Sequence, residues 1–506
     1  MITTAFFSTV NAQLKDEYKS SIELHAIGTS NSTVPFWMRS NQFGSTPLCG
    51  ISSSVIGKFS KKYSELTPNE EIYGKNKLVD WGFGFEGRVN GGKSSNLQLI
   101  ETYVKAKASI FQLKAGRTKD VVGLNGDTSL SSGNFAVSGN ALGIPKIELS
   151  IPEYWRAPIF DGLFSIKGSF AHGWVGPARI LDSIDLSSKE KRNVYYTIDN
   201  TPNTYFHQKS FYGRIGREGW KLNIYGGFNH QVYWGNEDSA YGSRFKLSPA
   251  QTFLYVATGR AYGSDGIPRS KIGNQIGSID LGIDYDFESL KVMIYRQQFY
   301  DVGALAKLAN IADGLTGLSI ENKRFRESNQ VFQLKKILIE FFSSKNQAGY
   351  PWSTPTASGD EDYYNNYYYI QGWTYKNIGL GNPLITRKDD AKPGQASSEY
   401  DYFINNRVLA LHIGIDADIK DWEMRSKITY SRNYGTFTTS KYGKSTGIKR
   451  AQPSDILFKP VNQLSFYTEG FKSLNEKYDI GFSGAFDLGQ LLKHSFGLSL
   501  KIKRNI

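Results

Sequence analysis

The residues of this chain that could do chemistry are plentiful but poorly arranged for catalysis. Gly82, Gly84 and Gly87 match GxGxxG, a spacing that cradles a pyrophosphate only where a strand precedes it and a helix follows. Here the glycines lie inside an alternating run, 79–89 (VDWGFGFEGRV), that leads into another strand, so they read as strand glycines. His25, His172, His207, His230, His412 and His494 are dispersed, without HExxH or CxxC spacing for zinc. His172 and His412 fall on or beside strand alternations and read as hydrogen-bonded structural imidazoles. No GxSxG elbow or P-loop occurs, and no carboxylate pair can be chosen for glycosidase work, which is defined by a separation in space. Cys49 is the lone cysteine and has no disulfide or metal partner. The expectation is a protein that is not an enzyme and holds neither cofactor nor metal.

The most unusual composition is 360–369 (DEDYYNNYYY) with 372–375 (GWTY). Rings beside Asn, Asp and Glu suit sugar recognition, where aromatic faces stack on pyranose rings and amides or carboxylates bond hydroxyls. Asp362, Tyr363, Tyr364, Asn365, Trp373 and Tyr375 are therefore candidate carbohydrate contacts. The same composition suits an ordered loop plugging a lumen, its Tyr hydroxyls hydrogen-bonded inside. The acidic triplet 360–362 offers oxygens to Ca²⁺, although EF-hand spacing is missing. A second cluster, 233–238 (YWGNED), adds Tyr233 and Trp234, either as a sugar platform or as part of an interfacial aromatic belt.

The elements that would position these groups are long β-strands. In 409–430 (LALHIGIDADIKDWEMRSKITY), Leu409, Leu411, Ile413, Ile415 and Ile419 share one face, and His412, Gly414, Asp416 and Asp418 the other. After a polar turn at Lys420 and Asp421, Trp422, Met424, Ile428 and Tyr430 alternate with Glu423, Arg425, Lys427 and Thr429. A period of two on either side of a tight turn is a hairpin. Each arm has about nine to eleven residues, the length at which a tilted strand crosses a bilayer. The pattern recurs at 79–89 with 97–107, at 164–174, at 279–287 and at 496–502. Asp and Lys face one way and aromatic or aliphatic residues the other, so one side is wet.

Composition agrees. Among 506 residues there are 51 Gly and 62 Tyr plus Phe, yet mean hydropathy is −0.40. Many aromatics in a polar chain suit an outer-membrane barrel, in which only alternate strand residues touch lipid. No window approaches 18 apolar residues, which excludes a transmembrane helix. The net charge of +13 is scattered, without the compact basic stripe of a nucleic-acid binder. It suits a charged lumen, acidic head groups, or steering of anionic polysaccharide. Residues 1–12 resemble the end of a truncated secretory signal, with small residues at a cleavage site before Gln13; 13–506 then form one barrel. The polar segments 176–204, 301–329 and 343–402 are expected outside or folded into the lumen, and 302–312 (VGALAKLANIA) is the one short helix predicted. If the turns at 288–289 and 420–421 are both periplasmic, an even number of crossings separates them. Residues 331–342 supply one in addition to the strands beside those turns, so another must hide in 343–402, around 367–375, unless 331–342 does not cross.

Several blocks in order resemble the capsule-assembly Wzi family of outer-membrane proteins, in the form common among Bacteroidetes-type bacteria. They are 33–44 (TVPFWMRSNQFG), 130–145 (LSSGNFAVSGNALGIP), 151–154 (IPEY), 205–210 (YFHQKS), 362–366 (DYYNN), 372–375 (GWTY), 381–384 (GNPL) and 405–407 (NNR). The resemblance implies an all-β fold, a transmembrane antiparallel barrel of about 18 strands with minor helical segments, in the cell outer membrane. It also implies a surface lectin that anchors capsular or exopolysaccharide. The expected partners are that polysaccharide and outer-membrane lipid with lipopolysaccharide, not nucleic acid, for a protein acting as a monomer. The rival readings are a porin or substrate-specific channel, and a structural partner of an envelope or secretion assembly.

Overall fold

The computed structural model describes residues 17–64, 78–93, 95–181, 197–264, 267–301, 303–324, 330–349, 361–366, 368–398, 401–441, 444–445, 448–449 and 457–506. The signal-like residues 1–12 lie outside this set.

Eighteen antiparallel strands form one closed sheet. In chain order they are β1 Tyr18–Thr29, β2 Ser52–Lys61, β3 Val79–Gly92, β4 Asn96–Ala108, β5 Phe111–Arg117, β6 Lys146–Arg156, β7 Phe164–Leu181, β8 Thr197–Ile215 and β9 Leu222–Trp234. There follow β10 Asn274–Asp286, β11 Leu290–Tyr300, β12 Gly314–Asn322, β13 Phe332–Ser343, β14 Val408–Ile419, β15 Trp422–Asn433, β16 Val461–Ser473, β17 Tyr478–Gly489 and β18 Ser495–Asn505. Each pairs with its chain neighbours, and β1 pairs with β18 through Ser21↔Asn505 to Thr29↔Gly497. Closure leaves no unpaired edge, the condition for a sheet in lipid, where unpaired backbone groups find no water.

Alternation sets the two faces. Leu411, Ile415, Ile428, Tyr430, Phe496, Leu498 and Leu500 are exposed on the outside, while His412, Lys427, Thr429 and Ser499 are buried on the inside. The β14–β15 turn is two residues long, and Lys420 takes φ +55° there, as the tightest hairpin turns require. In β3 the inward Gly84 makes room for its cross-strand partner, since a Cβ there would lie 2.5 Å from the Tyr103 ring. The GxGxxG match is strand backbone, as the sequence indicates.

Most connections at one end are brief, with turns at 109–110, 287–289, 420–421 and 474–477. At the other end lie the described residues of the longer connections, within 30–51, 118–145, 235–273 and 344–407. Short turns mark the periplasmic side of such barrels and long loops the external side. Two expectations need correction. The extra crossing required by parity is β12, within 301–329; residues 368–375 do not cross but fold inside the barrel. Among the described residues, 303–312 hold a single 3-10 turn, Ala304–Lys307, in place of the predicted helix, and other short helices are present: α1 Phe36–Arg39, α2 Glu237–Tyr241 and α3 Pro249–Thr258. Helix α3 is the longest. It carries a capping box between Ser248 and Gln251, Pro249 at its first turn and Gly259 as a left-handed C-cap, all start and stop signals legible in the sequence. The polar segment 176–204 is partly strand, because β7 and β8 extend into it.

Candidate functional site

Three external segments, 30–51, 118–145 and the described residues 361–366, 368–398 and 401–407, fold back into the barrel and fill its outer half. Wall residues grip them by backbone groups. Glu340 on β13 accepts from Ser131 Oγ and Ser132 N, each at 2.7 Å, and from Tyr295 on β11. Asp280 on β10 accepts from Leu124 N at 2.8 Å, and Asp487 on β17 from Phe36 N at 2.7 Å. Gln297 on β11 accepts from Phe135 N at 2.7 Å. A buried donor left without its acceptor is costly, so each inward carboxylate acts as a fixed clasp for a plug segment.

The β14–β15 hairpin adds a relay. Trp37 Nε1 donates to Thr429 Oγ1 at 3.0 Å. Thr429 Oγ1 in turn shares a hydrogen bond with His412 Nδ1 at 2.7 Å, and His412 Nε2 donates to the Leu130 carbonyl at 2.6 Å. The carbonyl can only accept, so Nε2 carries a proton. One histidine thereby ties two plug segments to the wall. Beside it, Gly414 leaves space for Leu130, whose Cβ would lie 2.8 Å from a Cβ placed at 414.

The plug segments also hold one another. Phe135 stacks on wall Phe299 with ring centroids 4.1 Å apart, and Trp373 Nε1 donates to the Ala136 carbonyl at 2.7 Å. Asp390 lies between Arg39 and Arg387, at 2.7 and 2.8 Å. Burial alone would raise its pKa, but the two guanidinium groups bring it below the usual carboxylate value. Among the described residues, Asp313 and Glu237 form no ion pair. Asp313, which accepts from Tyr363 OH at 3.0 Å, is pushed up to about 6 by burial, against the pull of its hydrogen bonds. Glu237, at the start of α2, is pushed up to about 7, again chiefly by burial.

Seven of the eight candidate sugar contacts meet inside this plug. Tyr233 on β9 donates to the Thr374 carbonyl at 2.9 Å and packs 4.5 Å from Trp373. Tyr364 donates to the Phe135 carbonyl, Asn365 Oδ1 accepts from Phe403 N at 2.9 Å, and Asp362 accepts from Asn406. Tyr375 OH accepts from Arg117 at 3.0 Å. All eight are buried, with Tyr363 and Trp373 at 0% exposure, so none presents a ring face to solvent. Trp234 is separated from the others by strand alternation. It points outward, 5.0 Å from Tyr205 and 5.9 Å from Phe253 of α3. Among the described residues no group of three or more His, Cys, Asp and Glu is placed to hold a metal.

Below the plug lies a cavity of about 970 Å³ that opens at the short-turn end. Its lining includes Lys19, Arg88, Lys427, Glu469, Lys501 and Lys503. Its charges meet across the wall, as Lys503 with Asp479 at 3.1 Å and Arg425 with Glu469 at 3.8 Å. Sequence reasoning inferred a wet charged side but could not divide the lumen into a filled and an open half, because that division depends on where the loops fold.

No family model matches the chain, and no curated protein matches it. Solved structures do. The protein Wzi of Escherichia coli, an outer-membrane protein involved in group 1 capsule assembly and a carbohydrate-binding β-barrel, is 11% identical with a TM-score of 0.53, over 99% of this chain and 86% of that one. OpdQ of Pseudomonas aeruginosa is 9% identical with a TM-score of 0.44, over 98% and 99%. OccAB4 of Acinetobacter baumannii is 7% identical with a TM-score of 0.43, over 97% of each. At such identities only the first carries an argument, and what it establishes is the fold. With the closed sheet, the apolar outer wall and the polar interior, the chain is an 18-stranded β-barrel of an outer membrane.

Proposed function

We propose that this barrel is a surface lectin that holds capsular or exopolysaccharide at the outer face of the cell. The observation that carries the reading is the filled outer half of the lumen. A bore occupied by three segments, tied to the wall and to one another through buried hydrogen bonds, favours presenting a surface over passing a solute. Polysaccharide as the ligand class is supported by the sequence blocks similar to the Wzi family and by carbohydrate binding in Escherichia coli Wzi, whose fold is similar. The net charge of +13 favours acidic glycans by long-range attraction.

In this reading Tyr233, Asp362, Tyr363, Tyr364, Asn365, Trp373 and Tyr375 serve binding as the frame that fixes the external surface, with Trp234 bracing the outer wall. Deletion of the gene is expected to release polysaccharide from cells into the medium, and the purified protein to show no steady conductance in a planar bilayer. Polysaccharide retained by the deletion strain, together with a steady open channel, would replace the lectin by a porin.

A further inference from the structure

The connection after β9 begins against the plug, where Ala240 joins the core and Tyr368 OH donates to the Asn236 carbonyl, and its described residues then leave the lumen. It folds down over the outside of β7–β10 and lays α3 on the wall. Phe253 of α3 meets outward-facing rings, His172 at 5.5 Å, Trp234 at 5.9 Å and His207 at 6.0 Å. Val256 and Thr252 are buried against that wall, while Leu254 faces out at 58% exposure. Lys209, on the outer face of β8, donates from Nζ to the Ala257 carbonyl at 2.6 Å, near the C-terminus of α3.

Register fixes the height of this ledge. Lys209 pairs with His230, and His230 with Gly277. Two residues further toward the periplasm the same strands present Phe211, Phe228 and Ile279, all exposed and mutually paired. The ledge therefore sits on the upper rim of the lipid-facing belt, where head groups begin.

Its charge is one-sided. Lys209 feels the positive field of Lys271, and both act on His230. Arg260 follows the C-cap of α3, and Ala261 pairs with Lys271 across a short hairpin. Arg260, Arg269, Lys246 and Lys271 are all exposed. Among the described residues no carboxylate forms an ion pair with any of them or with Lys209. One of these cations is met by the carbonyl end of the helix; the others have no counter-charge at the level where a membrane supplies one.

We propose that the ledge binds the phosphorylated head group of a lipid A-type glycolipid of the outer leaflet, with acyl chains lying on Phe211, Phe228 and Ile279. Phosphate matches the uncompensated Lys and Arg, since basic residues near an anionic membrane surface are drawn to its head groups. The exposed Leu254 and the aromatic wall match the chains. The site lies outside the lumen and does not depend on the lectin reading.

The test is binding of bis-phosphorylated lipid A to the purified, folded protein in neutral detergent, followed by native mass spectrometry. Wild type should bind it about tenfold or more tightly than dephosphorylated lipid A or phosphatidylglycerol. The double variant Arg260→Gln/Lys271→Gln alters two exposed side chains and should keep the heat-modifiable mobility of a folded barrel while losing that preference. Lys472→Gln, at the opposite end of the barrel, should bind as wild type. Equal binding of the dephosphorylated form, equal binding of phosphatidylglycerol, competition by inorganic phosphate at the same concentration as lipid A, or unchanged binding by the folded double variant would each overturn the proposal.

Discussion

The two halves of the lumen are built from the same strands and behave differently. In the outer half, inward carboxylates such as Glu340 and Asp280 receive backbone and hydroxyl donors from loop segments, and the space between is packed with Phe135, Phe299, Tyr363 and Trp373. In the periplasmic half, Lys, Arg, Asp and Glu face one another across a cavity of about 970 Å³. Alternation makes an interior polar. What enters that interior decides whether the polar groups become clasps for a dry plug or the lining of a wet vestibule.

Removing the plug should have the largest effect. Replacing 361–398 by a short Gly/Ser linker is expected to turn a silent barrel into one with steady conductance in planar bilayers. A silent variant that is still folded would mean that 30–51 and 118–145 close the bore unaided. The next largest effect should come from one clasp. Glu340→Ala deprives Ser131, Ser132 and Tyr295 of their acceptor at a site with 0% exposure. Leaving buried donors unmet where a charged acceptor stood costs about 3–5 kcal/mol, which denaturant unfolding in detergent would register. A loss below about 1 kcal/mol would show that water reaches the outer half and that the two halves are alike.

Acidity should tighten the outer half. Glu237 at about 7 and Asp313 at about 6 both lie above their ordinary carboxylate values. Folding therefore favours their protonated forms. Their contribution is fully present below about pH 4 and is lost as pH rises through 6 to 7, up to about 3 kcal/mol for each group. Protection factors at 235–241 and 361–366, taken relative to the base-catalysed intrinsic exchange rate at each pH, should accordingly be higher at pH 5 than at pH 8. The reverse order would remove these two carboxylates as the cause. A smaller effect is expected for Thr429→Val, which leaves Trp37 and His412 without their shared hydroxyl and should cost about 1–3 kcal/mol.

The division between the halves also explains what the sequence conceals. The hairpin at 409–430 is legible residue by residue, because its outer face meets lipid and its inner face carries His412, Asp416 and Asp418. Strand β12 is harder to see. Its inner Leu315 packs in the plug core at 0% exposure, while Leu318 and Ile320 face outward, so apolar residues occur at both parities and the alternation blurs. Phe299 and Phe342 do the same on the neighbouring strands. Wherever a dry plug touches the wall, the period of two loses its contrast. The Tyr-rich stretch is legible as a composition, but whether it stacks on sugar or packs within depends on partners such as Phe135 and Asp313, distant in sequence and brought together only by the fold. Helix α3 carried clear local signals at Ser248, Pro249, Gln251 and Gly259; its place on the outer wall did not follow from them.

The smallest effect belongs to the periplasmic rim. Lys472 Nζ lies 3.0 Å from Asp421 Oδ2, with side chains 30% and 75% exposed. Two ions in water gain little from pairing, because solvent screens them and each gives up side-chain freedom; such pairs are worth about 0.2–1 kcal/mol. A double-mutant cycle with Lys472→Met and Asp421→Asn should therefore give a coupling below about 1 kcal/mol that fades as salt is raised. The Glu340 contacts should show no such salt dependence, since the plug keeps ions away from them. If the rim pair proved as strongly coupled as the clasp and as indifferent to salt, the periplasmic half would have to be dry too, and the contrast between a sealed and an open lumen would rest on geometry without an energetic counterpart.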